Sequence, residues 1–129
     1  MTTPSVSEAA IVDSSGWLEY ITADTKAELF RPYLQGERPI LVPTIVIYEV
    51  RKILLLQQTQ VLADFFVSEA LRHSVIPVDQ EIALAAAVIS IQHGLAMADA
   101  LLYATAEKRA AEFVTSDSHF KGLPGVTLL

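Results

Sequence analysis

The chain has 129 residues, which is the size of one domain and enough to bury about two-thirds of its extended surface on folding. Apolar residues make up 52% of the chain and charged residues 19%, which predicts a densely packed globule with apolar surface kept for a partner. The absence of cysteine excludes disulfides and thiolate chemistry, and the net charge of −6 counts against a surface designed for phosphate binding.

Strand-like apolar runs alternate with longer segments of helical spacing, and this alternation predicts an α/β fold with a central parallel sheet of four to five strands flanked by helices. Residues 1–8 are expected to form a frayed leader, and residues 9–129 a single domain. Strands are predicted at about 9–12, 40–42, 74–78, 112–115 and 126–129, and helices at about 16–22, 26–34, 44–57, 60–72, 79–93 and 97–110. Asp79 is expected to cap the fifth helix at its start, and Gly94 to end it.

The segment from Ile82 to Ile91 carries alanine or a larger apolar side chain almost all round, which predicts a helix buried on two sides or at an interface. Its longest uninterrupted apolar run ends at Ile89 and is far shorter than the roughly 20 residues that span a bilayer. The N-terminus has no basic region leading into an apolar one. We therefore expect a soluble, cytoplasmic protein that self-associates.

Four carboxylates fall where strand ends and helix starts approach one edge of such a sheet, namely Asp13, Glu49, Asp99 and Asp117. Ligands of open α/β sheets lie outside the carboxyl ends of the strands, so acids far apart in sequence can meet there. Two carboxylates about 5 Å apart at an effective dielectric near 20 repel by roughly 3 kcal/mol, so such a cluster needs a cation. Oxygen ligands alone suit Mg²⁺ or Mn²⁺, whereas Zn²⁺ would recruit His or Cys.

Each acid taken singly also has an ordinary structural interpretation. Asp13 and Asp117 can cap a helix or close a turn, and Asp99 can face the free amides of a first helical turn. Glu49 fits this interpretation less well because its helical face is mostly apolar, although Lys52 one turn away can pair with it. The joint pattern of four acids therefore favours a metal site.

Four short motifs follow one another along the chain. They are Val12-Asp13-Ser14-Ser15, Pro43-Thr44 with Glu49 five residues beyond Thr44, Gly94-Leu95-Ala96-Met97-Ala98-Asp99-Ala100-Leu101, and Thr115-Ser116-Asp117 with Phe120. Motifs of this kind occur in the same order in PIN-domain nucleases. From about Ala10 to Leu129 the chain resembles that family, and most of all the toxins of VapBC-type toxin–antitoxin pairs. The resemblance implies that residues 9–129 form a PIN domain.

The resemblance also implies a metal-dependent endoribonuclease that cleaves an RNA phosphodiester by metal-activated water, with Mg²⁺ or Mn²⁺ as its cofactor. It assigns metal binding and catalysis to Asp13, Glu49, Asp99 and Asp117, and hydrogen bonds behind these acids to Ser14 and Thr115. A VapB-type antitoxin is the implied partner, and a homodimer the implied assembly. Some members of the family carry a further acid just past the fourth, where this chain has His119. Two residues past Asp117, His119 could contact a phosphate or a metal, but a loop position without a role is the favoured interpretation.

Two other functions compete with this one. A PIN-like module without catalytic activity would keep the acids as features of its fold and bind a partner protein. A phosphoacceptor receiver domain has a similar size and an acid at its first strand end, but it should also show paired acids there and an Asp ending its middle strand. The predicted third strand is followed only by Asp79, which fits a helix cap better.

Overall fold

A computed structural model describes residues 8–129 of the chain, so all but the last residue of the predicted leader lies outside the described residues. The helices and strands follow the predicted alternation. In chain order they are β1 (Ala10–Val12), α1 (Ser14–Ile21), α2 (Ala27–Leu34), β2 (Ile40–Pro43), α3 (Thr44–Gln57), α4 (Gln60–Ala70), β3 (Ser74–Ile76), α5 (Gln80–His93), α6 (Met97–Lys108), β4 (Glu112–Thr115) and β5 (Val126–Leu128).

The five strands form one parallel sheet in the order β3-β2-β1-β4-β5, which confirms the predicted sheet. Strands β2 and β3 lie on one side of β1, and strands β4 and β5 lie on its other side. The order therefore reverses between β1 and β4, and such a reversal opens a crevice at the carboxyl ends of the two strands. Receiver domains have the strand order 2-1-3-4-5, so the topology excludes that interpretation.

Helices cover both faces of the sheet. Successive side chains of a strand point to opposite faces, and all three residues of β1 are fully buried. Phe113, Val114 and Thr115 on β4 are also fully buried, so the two central strands lie inside the core. Helix α1 packs against α2 and α3, while α5 packs against α6. The result is a three-layer α/β arrangement whose strand ends meet at one edge.

Most differences from the predicted boundaries have a local cause. Helix α1 begins two residues earlier than predicted because Asp13 caps it by accepting a hydrogen bond from the Ser14 amide. Strand β3 ends at Ile76 rather than at residue 78, since Pro77 has no amide hydrogen to donate to a neighbouring strand. The predicted cap of α5 is confirmed, because Asp79 Oδ1 accepts a hydrogen bond of 2.8 Å from the Ile82 amide.

Helix α5 is buried on one side only. Ile82, Ala86 and Ile89 face the core, whereas Leu84 and Ile91 are 64% and 87% exposed. Helix α5 is therefore not buried on two sides within one copy of the chain. Its predicted place at an interface stays a prediction. Within residues 8–129 no single helix is long and apolar enough to cross a membrane, and α5 and α6 meet the length and composition requirement only together, across a bend of 115°.

Candidate active site

Asp13 lies at the carboxyl end of β1, and its side chain is almost fully buried. Oδ1 accepts a hydrogen bond of 2.7 Å from the Ser14 amide, and Oδ2 accepts one of 2.8 Å from Thr115 Oγ1. Ser15 Oγ lies 3.3 Å from the same Oδ2. The carboxylate is thus held by the start of α1 on one side and by the end of β4 on the other.

Burial raises the pKa of Asp13 from its ordinary 3.8 to about 6, because a charged carboxylate loses its hydration inside the protein. The hydrogen bonds from Thr115 and Ser14 oppose this shift, since they favour the ionised form. The nearby negative charges of Asp99 and Glu49 add to it. A cation beside Asp13 would reverse the balance and keep the carboxylate ionised at neutral pH.

Thr115 links the ends of the two central strands. Its hydroxyl donates to Asp13 and accepts a hydrogen bond of 2.9 Å from the Asp117 amide. Asp117 in turn caps a short 3₁₀ turn at residues 118–120, where its Oδ1 accepts a hydrogen bond of 2.9 Å from the His119 amide. The two acids that follow β1 and β4 are therefore joined through one side chain, although Asp13 and Thr115 are 102 residues apart.

Glu49 reaches the same place from α3. Its Oε1 accepts a hydrogen bond of 2.7 Å from the hydroxyl of Ser14, the residue next to Asp13. Pairing with Lys52, the structural interpretation of Glu49, is not found among the described residues, because the Lys52 ammonium lies over the Tyr48 ring at 5.6 Å. The partner of Glu49 is therefore part of the acid cluster and not a base on its own helix.

Asp99 lies in the first turn of α6 and is partly buried. Within residues 8–129 it accepts no hydrogen bond, so the helix-capping interpretation does not describe its surroundings. Burial is the largest cause that raises the pKa of Asp99, and the negative charges of Asp117 and Glu49 raise it further. His119 lowers this pKa by a smaller amount. Asp99 is consequently an acid placed close to other acids without local compensation.

The charges of Asp99 and Glu49 reach Asp13, and those of Asp117 and Glu49 reach Asp99, but among residues 8–129 only Asp99 and Asp117 belong to a group at metal-ligand distance. None of the four acids forms an ion pair with Lys or Arg in the part of the chain that the structure describes. Six other acids there do form such pairs. One ligand atom each from Asp99, Asp117 and His119 lie within 4.8 Å of one another. A loop position without a role was the favoured prediction for His119. Its position two residues past Asp117 was the feature of the sequence that indicated a place near the acids.

The chemistry of these donors fits a divalent cation. Carboxylate oxygens are the ligands that Mg²⁺ and Mn²⁺ prefer. Burial is the largest cause of the raised pKa values of Asp13 and Asp99, and the negative charges of neighbouring acids add to it. Asp13, Asp99, Asp117 and Glu49 are the residues that would hold such an ion. The Ser14 hydroxyl donates to Glu49, and the Thr115 hydroxyl donates to Asp13.

The model of the PIN domain family matches residues 10–126. The chain belongs to the PIN domain family. That span contains all four acids, the two hydroxyl residues that bond them and His119, so the whole cluster lies inside the PIN domain. Its fold of one five-stranded parallel sheet and six α-helices is the fold that the sequence predicted.

Solved structures similar to this PIN domain include members of toxin–antitoxin systems. A toxin–antitoxin complex from Klebsiella pneumoniae is 22% identical with a TM-score of 0.76, covering 92% of this chain and 95% of that one. Mycobacterium tuberculosis VapC20, described as a sarcin–ricin loop cleaving toxin, is 16% identical with a TM-score of 0.76 over 89% and 95%. VapBC2 from Rickettsia felis, bound to a promoter DNA fragment, is 16% identical with a TM-score of 0.71 over 94% and 97%. The comparison with curated proteins found no match.

The raised pKa of Asp13 predicts a pH-dependent loss of stability in the metal-free protein. The folded state holds the Asp13 proton up to about pH 6 and the unfolded state only up to 3.8, so the stabilisation is complete below pH 3.8 and is lost as pH rises through 6. This shift corresponds to about 3 kcal/mol. Urea unfolding with a chelator, at pH values from 4 to 7, should show the stability of wild type falling relative to Asp13→Asn, which cannot ionise. A difference in free energy of unfolding between wild type and Asp13→Asn that does not change with pH would contradict the raised pKa of Asp13.

Removing the charge of Asp99 should stabilise the metal-free protein at pH 7, because its carboxylate is repelled by Asp117 and Glu49 and an amide loses no hydrogen bond there. Asp99→Asn should therefore have a higher free energy of unfolding than wild type when chelator is present. Excess Mn²⁺ should stabilise wild type more than the variant. Glu37→Gln, an exposed loop substitution, is the matched control and should change neither quantity. Destabilisation of Asp99→Asn by several kcal/mol without metal would make Asp99 a structural residue.

Proposed function

We propose that the chain is a cytoplasmic, metal-dependent endoribonuclease, and the toxin of a type II toxin–antitoxin pair. The observation that carries this proposal is the convergence of Asp13, Glu49, Asp99 and Asp117 at the β1–β4 crevice without a Lys or Arg to pair with them among residues 8–129. Membership of the PIN domain family and the likeness to VapC toxins support it. A PIN domain that only binds a partner protein is the competing function.

Asp13 and Asp99 would hold the principal cation, either Mg²⁺ or Mn²⁺, with Asp117 and Glu49 completing the site. Such a cation supplies a Lewis acid for the phosphate and lowers the pKa of an attacking water. The hydrogen bonds from Ser14 and Thr115 fix the orientation of the Asp13 carboxylate.

Glu49 has a second role open to it. The Ser14 hydroxyl occupies its Oε1, which leaves Oε2 to accept a hydrogen bond from the attacking water. In this arrangement Ser14 aims the Glu49 carboxylate, and Glu49 orients the water toward the phosphorus. Water rather than the ribose 2′-hydroxyl is then the nucleophile, so the products carry a 5′-phosphate and a 3′-hydroxyl.

Exposed apolar side chains support the proposed protein partners. Helices α3 and α4 expose Leu56, Val61 and Phe65 at 74%, 80% and 50%, which is unusual for side chains of this size. We assign burial of an apolar surface of this kind to the cognate VapB-type antitoxin, which would also place a basic side chain in the acidic site. The exposed side of α5 we assign to a homodimer.

Cleavage of RNA should depend strictly on a divalent cation. EDTA should abolish it and Mg²⁺ or Mn²⁺ should restore it, with 5′-phosphate ends detected by ligation of the products. Glu49→Gln should lower the rate at least about 100-fold, because it removes the proton acceptor for water. Glu107→Gln, an exposed change on α6, should retain the wild-type rate. Cleavage without metal that leaves a cyclic 2′,3′-phosphate would contradict the mechanism.

Expression of the chain alone should arrest bacterial growth if it is a toxin. Asp99→Asn should relieve the arrest at an unchanged protein level, and its expected gain in stability separates loss of activity from loss of folding. Glu37→Gln should still arrest growth. Harmless expression of folded wild type in cells that lack an antitoxin would favour the module without catalytic activity.

A further inference from the structure

His119 extends the acid cluster with a nitrogen donor. Its Nδ1 lies 3.0 Å from Asp117 Oδ1, and a ring nitrogen lies within 4.8 Å of a carboxylate oxygen of both Asp99 and Asp117. The ring is largely exposed, with a side-chain exposure of 78%, so it stands on the open side of the cluster. It is the one histidine among residues 8–129 that belongs to a group of this kind.

The backbone that carries His119 is fixed at both ends of its turn. Asp117 accepts the His119 amide hydrogen, and the next residue, Phe120, is fully buried and packs on Phe113 with 4.7 Å between ring centroids. The imidazole therefore needs only rotation about its side-chain bonds to change its contacts. Binding of a cation by His119 would therefore require little additional ordering of the main chain.

The spacing fits coordination of one cation. Adjacent ligands of an octahedral ion with bonds of about 2.1 Å are about 3 Å apart, and opposite ligands about 4.2 Å apart. His119 Nδ1 and Asp117 Oδ1, 3.0 Å apart, are close enough for both residues to bind one cation, and Asp99 offers a carboxylate oxygen within 4.8 Å of them.

We infer that His119 is a nitrogen ligand of the catalytic cation and that it makes the site select Mn²⁺ over Mg²⁺. The inference rests on the proposed nuclease function, since it specifies the cofactor of that site. Mg²⁺ accepts nitrogen ligands more poorly than Mn²⁺ does, so one imidazole added to the carboxylates of the proposed site favours Mn²⁺ over Mg²⁺. The competing role of His119 is a hydrogen bond to Asp117 without contact to the cation.

Two variants and one control separate these roles. His119→Asn replaces the ring nitrogen by an amide oxygen at a similar distance from the backbone, and His119→Ala removes the donor. His93→Ala removes another exposed histidine that lies outside the cluster. Pulsed electron paramagnetic resonance of Mn²⁺ bound to the full chain should show ¹⁴N coupling in wild type and His93→Ala, and no such coupling in either His119 variant.

Competition between Mn²⁺ and Mg²⁺, measured by calorimetry, gives the selectivity directly. His119→Asn should lower the preference for Mn²⁺ at least about tenfold, by analogy with losses seen when groups around a metal are removed. Wild type that binds Mn²⁺ without ¹⁴N coupling, or an unchanged preference in His119→Asn, would overturn the role of His119 while leaving the nuclease proposal intact. Failure of wild type to bind either cation would overturn both.

Discussion

The buried carboxylate of Asp13 is the constraint on which the rest of the site depends. Three hydrogen-bond donors orient it, yet they do not neutralise its charge, and its pKa rises to about 6 in spite of them. Two of these donors also belong to other elements: the Ser14 amide begins α1, and the Thr115 hydroxyl at the end of β4 also accepts a hydrogen bond from the Asp117 amide. The Ser14 hydroxyl then holds Glu49. One unneutralised carboxylate thereby organises two strands and two helices.

The strand order explains why this organisation occurs where it does. Because β2 and β4 both pair with β1, the chain leaves the sheet on opposite sides of β1, and the crevice between the departing connections opens beside Asp13. A hydroxyl at the end of β4 can reach across it only because the two strands are direct neighbours in register, with Val12 opposite Val114. Topology thus brings the acids together, and the hydrogen bonds fix their geometry.

Much of this arrangement is readable from the sequence, because its signals are local. Buried parallel strands form short apolar runs, and acids at their ends follow directly in the chain, so Asp13 and Asp117 are recognisable without coordinates. The capping roles of both residues are also real, and they coexist with membership of the cluster. A structural interpretation of a single residue therefore does not argue against a shared site.

The features of the site and fold that were not predicted from the sequence depend on contacts between residues far apart in the chain. The short turn at residues 118–120 follows from burial of Phe120 against Phe113, and this burial directs His119 toward Asp99 on another helix. The partner of Glu49 is a hydroxyl 35 residues away rather than the lysine one turn along its helix. Likewise the exposed side of α5 cannot be told from a buried one when alanine and larger apolar residues occur all round.

The charge balance limits how the proposed enzyme can attract RNA. Five of the nine basic residues form ion pairs with acids outside the site, and they are Arg31, Arg38, Arg51, Arg72 and Lys108. Of the others, Lys26 donates to the carbonyl of Leu129 and Lys52 lies over Tyr48. Few Lys or Arg side chains of one copy are then left for phosphate.

Attraction of the substrate must consequently come in large part from the cation itself. An ion held by Asp13 and its neighbours would cancel part of their negative charge and could bind a phosphate oxygen directly at the point where the scissile phosphate has to lie. In the proposed enzyme, attraction and reaction would share a single centre, because the acids that repel one another without metal would hold the ion that binds phosphate. A chain with a net charge of −6 is compatible with a nuclease on these terms, since direct contact with the ion would replace the attraction of a basic groove.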